Sequence, residues 1–149
     1  MAEFFLDASI PMYASGREHP YKRPCVWIMT EITEGRLEVA IDTEIVQEIL
    51  YRYGALQQWA MGAMLASNLL DIVPVVYPIQ LKEARRAIQL FQQYGPQGVT
   101  ARDVIHVAGM QNNGLTQILS TDAHFDLVKE VKRLDPKALL TKKGKNKSH

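Results

Sequence analysis

Cysteine is nearly absent from this chain of 149 residues: Cys25 stands alone, so no internal disulfide can form, and its flanks hold no C-x-x-C or comparable metal-ligand spacing. A reducing compartment is the expectation. Long apolar runs are missing as well. Pro, Asp, Gln or Asn interrupts every hydrophobic stretch before it reaches membrane-spanning length, and the N-terminus shows no basic-then-apolar leader. These absences argue against a disulfide scaffold, a membrane protein and a secreted one, and point to the cytoplasm. There is no internal repeat, and no low-complexity segment precedes the C-terminal tail.

A strong net charge is also lacking, since the formal value is +1. That balance conceals an asymmetry. The last eight residues, from Lys142, carry four Lys and no acid, and removing those charges from +1 leaves −3 on the rest. Such a tail either solubilises the chain or acts as a polyanion-binding arm. With 47% hydrophobic residues there is material for one packed core, and the length leaves little room for a second. The expected organisation is one domain over residues 1–137, followed by a basic, disordered tail over 138–149.

Along the chain, strand and helix patterns alternate. The run Phe4-Phe5-Leu6, closed by Asp7-Ala8-Ser9, fits a central strand that ends at a site. Residues 17–24 read as a loop. Val26, Ile28, Met29 and Ile32 follow at helical spacing, with Gly35 as the stop. Residues 37–41 form a second strand candidate, after which Asp42 or Thr43 can cap a helix buried through Ile45, Ile49 and Leu50. A helix over 57–70 precedes a third strand within 71–78, whose Pro74 argues for an edge position. An amphipathic helix over 80–94 comes next. Thr100-Ala-Arg-Asp103 then has the form of a helix start, and that helix stops near Asn112-Asn113-Gly114. Residues 116–119 make a fourth strand ending in Ser120-Thr121-Asp122, and a short helix and a strand over 131–134 finish the fold. This alternation predicts an α/β architecture, a mostly parallel central sheet with helices on both faces.

In such a sheet, ligands bind beyond the carboxyl ends of the strands. Asp7 and Asp122 fall there directly, while Glu48 and Asp103 reach the same edge from the early turns of helices, whose dipoles favour ionised acids. Four gathered carboxylates call for a cation. Oxygen-only ligands favour a hard ion, Mg²⁺ or Mn²⁺, and with it phosphodiester chemistry.

These residues carry a resemblance. Phe5-Leu6-Asp7-Ala8-Ser9, Glu44-Ile45-Val46-Gln47-Glu48-Ile49-Leu50, Ala101-Arg102-Asp103-Val104-Ile105-His106-Val107-Ala108 and Ile118-Leu119-Ser120-Thr121-Asp122-Ala123-His124-Phe125-Asp126 occur in this order. In order, spacing and flanks the chain from Glu3 to Leu134 resembles PIN-domain ribonucleases, and within them the VapC-like toxins of toxin-antitoxin systems. The resemblance implies a metal-dependent endoribonuclease with Asp7, Glu48, Asp103 and Asp122 as catalytic metal ligands. Asp126 would join the outer shell, and Ser9 and Ser120 would orient carboxylates or water. It further implies Mg²⁺ or Mn²⁺ as cofactor, RNA as substrate, an antitoxin protein as partner and a homodimer.

Other residues weigh differently. Glu44 reads as a solvated first-turn acid, and His106 and His124 as core or surface histidines. Trp27, Trp59, Phe91 and Phe125 read as core or dimer interface. Among the cations, Arg102, beside Asp103, is the first candidate for phosphate contact, with Arg17 and Arg52 behind it. The alternatives are an RNA-processing nuclease without an antitoxin, and a non-catalytic RNA- or protein-binding module. A haloacid-dehalogenase-like phosphatase would need a second Asp two positions after Asp7, where Ser9 stands.

Overall fold

The structure, a computed structural model, describes residues 2–147. Five strands, β1 (Phe4–Leu6), β2 (Val39–Asp42), β3 (Val75–Tyr77), β4 (Gln117–Leu119) and β5 (Lys132–Leu134), lie in the order β3-β2-β1-β4-β5. Every pairing is parallel. Among the described residues, six α-helices lie between the strands, α1 (Ser9–Ala14), α2 (Lys22–Thr33), α3 (Glu44–Ala55), α4 (Trp59–Ile72), α5 (Leu81–Tyr94) and α6 (Ala101–Asn112), and a seventh, α7 (Pro136–Lys147), follows β5.

The two-residue period of the strands sorts the core into two layers. Phe4, Leu6, Val39, Ile41 and Leu119 pack with Ile10 of α1, Cys25 and Ile28 of α2, Ile45 and Ile49 of α3, and Leu69 of α4. Phe5, Ala40 and Ile118 point the other way, into Leu90 of α5, Val104, Val107 and Met110 of α6, and Phe125. Central β1 is buried throughout, so its carboxyl end opens between neighbours on both sides.

Several expectations are refined. β3 is an edge strand as Pro74 suggests, but it is shorter than expected, because Ile72 still belongs to α4 and Val73 caps it. Proline disfavours helical conformation in the residue before it, so the helix ends there. Helix α1 was not anticipated; Pro11 lies in its first turn, where a missing N–H costs nothing. The expected disordered tail is corrected: residues 136–147 form α7, and Leu139 is buried among Ile28, Ile32 and other residues of the first core layer. Lys137 adds a cation over the Tyr21 ring at 4.4 Å. Domain packing therefore continues past residue 137, while Ser148 and His149 of the expected tail lie outside the described residues.

Candidate active site

Asp7, Glu48, Asp103 and Asp122 all line one cavity of about 920 Å³ at the carboxyl edge of the sheet. Asp7 follows β1, Glu48 lies in the second turn of α3, Asp103 in the first turn of α6, and Asp122 follows β4. Parallel order is the reason. With β1 and β4 adjacent and pointing the same way, Asp7 and Asp122 leave the sheet side by side, and α3 and α6 begin above the same edge.

Each acid is held. Ser120 Oγ donates to Asp7 Oδ2 at 2.7 Å and itself accepts from the Asp122 N–H at 2.9 Å. Ser9 Oγ accepts from the Thr121 N–H at 3.3 Å, tying α1 to the end of β4. Thr100 and Asp103 form a reciprocal capping box at the start of α6, each side chain accepting from the other's backbone N–H at 3.3 Å. The Asp122 carboxylate accepts from its own turn, at the His124 N–H, and pairs with His124 Nδ1, both at 2.9 Å.

Burial and crowding leave these charges poorly solvated. Asp7 is only 4% exposed, and loss of hydration, followed by repulsion from Glu48, pushes its pKa from 3.8 up to about 6. Burial, then the neighbouring Asp122 charge, also raises Asp103. Glu44 is raised mainly by burial and is not the fully solvated acid expected.

His106 is a core histidine, one of the two readings its sequence allowed, but it lies fully buried between two acids. Its Nδ1 is 2.7 Å from Asp42 Oδ2, and its Nε2 is 2.9 Å from Glu48 Oε1. Two hydrogen bonds need two protons along this line, which an imidazolium between two carboxylates supplies. Burial opposes that charge, but Asp42 and Glu48 outweigh it and hold the pKa well above the usual histidine value. Asp42, fully buried, uses its other oxygen to accept from the Ile45 N–H at 3.1 Å, so the expected helix cap is also the anchor of this chain. Gly109 makes room for it: a Cβ there would meet Ile79 Cδ1 at 3.3 Å and Asp42 Oδ2 at 3.5 Å. The local signal was the spacing of Asp103, His106 and Gly109, one helical turn apart and so on one face. Asp7, Glu48 and His106 each offer a ligand atom within 4.8 Å of the others.

Two expected members are displaced. Asp126 does not line the cavity, because Arg133 from β5 grips both its oxygens, Nε at 3.0 Å and Nη2 at 3.1 Å. Arg102 is directed instead over the Tyr51 ring, 4.6 Å from its centre. Arg17 and Arg52 do line the cavity, and neither makes an ion pair among the described residues. Of the aromatics, Phe125 is core, whereas Trp59 and Phe91 are largely exposed. Tyr13 and His19, which carried no role in the sequence reading, stand in the cavity wall.

A five-stranded parallel sheet in this order, with an acid pocket at its carboxyl edge, defines a PIN-type fold. No protein-family model matches the chain. Relatives do: ribonuclease VapC13 of Mycobacterium tuberculosis is 30% identical over 129 residues, covering 87% of this chain and 97% of the relative. Among solved structures, M. tuberculosis VapC20, a sarcin-ricin-loop-cleaving toxin, superposes with a TM-score of 0.72 at 12% identity, over 85% of this chain and 95% of its own. A toxin-antitoxin complex from Klebsiella pneumoniae gives 0.61 at 19% identity, over 90% of this chain and 98% of that one. The chain belongs to the VapC ribonuclease family.

Proposed function

We propose that this protein is an endoribonuclease toxin that hydrolyses RNA with a hard divalent cation, Mg²⁺ or Mn²⁺, held by Asp7, Glu48, Asp103 and Asp122. The observation that carries the reading is the convergence of these acids, from four separate elements, on one cavity in which Asp7 is too poorly solvated to ionise normally. Such a site is electrostatically incomplete without a cation, and its all-carboxylate donors suit a hard ion. The bound ion supplies Lewis-acid activation of water and neutralises charge developing on the phosphate.

The protein's own part is orientation. Ser120 holds Asp7, Thr100 holds Asp103 and His124 holds Asp122. His106 offers a nitrogen within ligand range, but both its nitrogens are already engaged by carboxylates. We assign it to orienting Glu48, with Asp42 orienting His106 in turn, as partners behind metal ligands commonly do. Arg17 and Arg52 supply positive charge for the phosphates flanking the scissile bond. No side-chain nucleophile is required.

An antitoxin and a second copy of the chain are the proposed partners. Supporting surfaces exist: Leu56, Trp59 and Met64 are exposed at α3 and α4, and Leu81, Ile88 and Phe91 along α5. The test is cleavage of single-stranded RNA by protein stripped with EDTA. Activity should be absent until Mg²⁺ or Mn²⁺ is added, and absent from Asp7→Asn and Asp103→Asn at any metal concentration. Cleavage that survives chelation would overturn the reading.

A further inference from the structure

Beside the acids, the wall of the cavity carries an aromatic group that the proposed chemistry does not use. Tyr13, near the end of α1, and His19, in the following loop, both line the cavity, with Arg17 between them in sequence. Their rings are 4.7 Å apart between centres and tilted by 38°. Tyr21 backs them, 5.4 Å from Tyr13 and nearly parallel to His19 at 5.9 Å.

This group is fixed in place. The Tyr21 N–H donates to His19 Nδ1 at 3.1 Å, so Nδ1 acts as acceptor and the ring cannot rotate freely. Tyr21 is anchored in turn, its hydroxyl donating to Asp135 at 2.5 Å. Lys22 Nζ donates to the Gly16 carbonyl at 2.6 Å, and the Gly16 N–H donates to the Tyr13 carbonyl at 3.3 Å, which pins the loop to the end of α1. Rings that only cement a loop are expected to be covered. His19 is exposed and Tyr13 only half-buried, on the side where the acids open to solvent.

We propose that Tyr13 and His19 form a nucleobase-stacking subsite, receiving one unpaired base of the RNA next to the scissile phosphate while Arg17 contacts the backbone. Single-stranded RNA offers bases that are free to stack, and a preset aromatic surface takes them at little ordering cost. Stacking reads ring area rather than base edges, so the subsite sets which phosphate reaches the acids and favours purines over pyrimidines at that one position. The proposal rests on the ribonuclease reading above.

The test uses the full chain carrying Asp7→Asn, so that bound RNA is not consumed, and a set of RNA oligonucleotides with a single abasic nucleotide moved along the strand. One position should weaken binding by roughly 5- to 150-fold. A 2-aminopurine placed there should be quenched on binding. His19→Ala, at an exposed position, should abolish the sensitivity to that abasic site, and His19→Phe should restore it; a purely structural role would not produce this position-specific coupling. Tyr13→Ala, checked for folding by circular dichroism, should act like His19→Ala. A flat abasic profile, or one unchanged in both alanine variants, overturns the subsite. Metal-dependent cleavage by the wild type alongside such a profile leaves the nuclease reading intact, whereas a wild type that cuts no RNA removes both.

Discussion

Replacing Asp7 by Asn keeps the side chain's shape and its ability to accept from Ser120 Oγ, but removes a charge that the fold accommodates poorly. Asp7 ionises near 3.8 when the chain is unfolded and near 6 in the metal-free folded state, raised first by burial and then by Glu48. Below about pH 3.8 both states hold the proton and Asp7 contributes no pH dependence. Between the two values the unfolded chain releases its proton while the folded one retains it, so stability falls as pH rises. Above about pH 6 the loss levels off. At about 1.4 kcal/mol per tenfold, the full penalty is about 3 kcal/mol, as an order of magnitude. Asp7→Asn escapes it. In EDTA, the variant should match the wild type near pH 4 and exceed it by about 3 kcal/mol at pH 7.5, which is roughly 6–12 °C in Tm for a chain of this size. Urea denaturation across that pH range measures the difference directly. Saturating Mn²⁺ should reverse the order, because only the wild type gains from binding. A stability difference independent of pH, or a variant less stable than the wild type at pH 7.5 without metal, would refute the reasoning.

Four further outcomes follow from the same geometry. His106→Leu strands the buried Asp42 charge and should cost roughly 3–5 kcal/mol in urea denaturation, with adding Asp42→Asn recovering part of it; no recovery would show that the two are not coupled. The same His106→Leu protein should bind Mn²⁺ roughly 10–100-fold more weakly by calorimetry, and unchanged affinity would remove the orienting role. Ser120→Ala deletes a hydrogen bond that lowers the Asp7 pKa, so carboxyl NMR of the metal-free protein should find Asp7 titrating above about 6, and an unchanged or lower value would count against that contact. In an Asp7→Asn background, Arg17→Ala and Arg52→Ala should each flatten the salt dependence of single-stranded RNA binding by about 0.7 in log–log slope, while Arg102→Ala leaves it unchanged; a drop only for Arg102 would reverse the assignment.

The elements that could be read directly from the sequence are those governed by local rules. Phe4-Phe5-Leu6 fits a buried strand in any context, Pro74 cannot donate in the middle of a sheet, and Thr100 and Asp103 carry the cap of α6 within four residues. Helix α1 was hidden because Pro11 looks like a breaker, although a helix tolerates it in the first turn. Helix α7 was hidden because its lysines suggest solvation, while its other face, with Leu139 in the first core layer, packs against α2.

The four acids belonged to the sequence in the same sense. Parallel strands all deliver their carboxyl ends to one edge, so order alone brings Asp7 and Asp122 together, and helix starts bring Glu48 and Asp103. What surrounds them did not follow from order. A helix turns by about 100° per residue, so Arg102 faces away from the direction of its neighbour Asp103 and finds Tyr51 instead. Asp126 is claimed by Arg133 from a strand that forms later in the chain. His106 meets Asp42 across 64 residues and Glu48 across 58, contacts that exist only because α6 packs onto α3 above the end of β2. The chain by itself determined which charges share an edge, through local pattern and parallel topology; only tertiary packing decided which of them are buried, which are paired, and which remain open to a cation and to RNA.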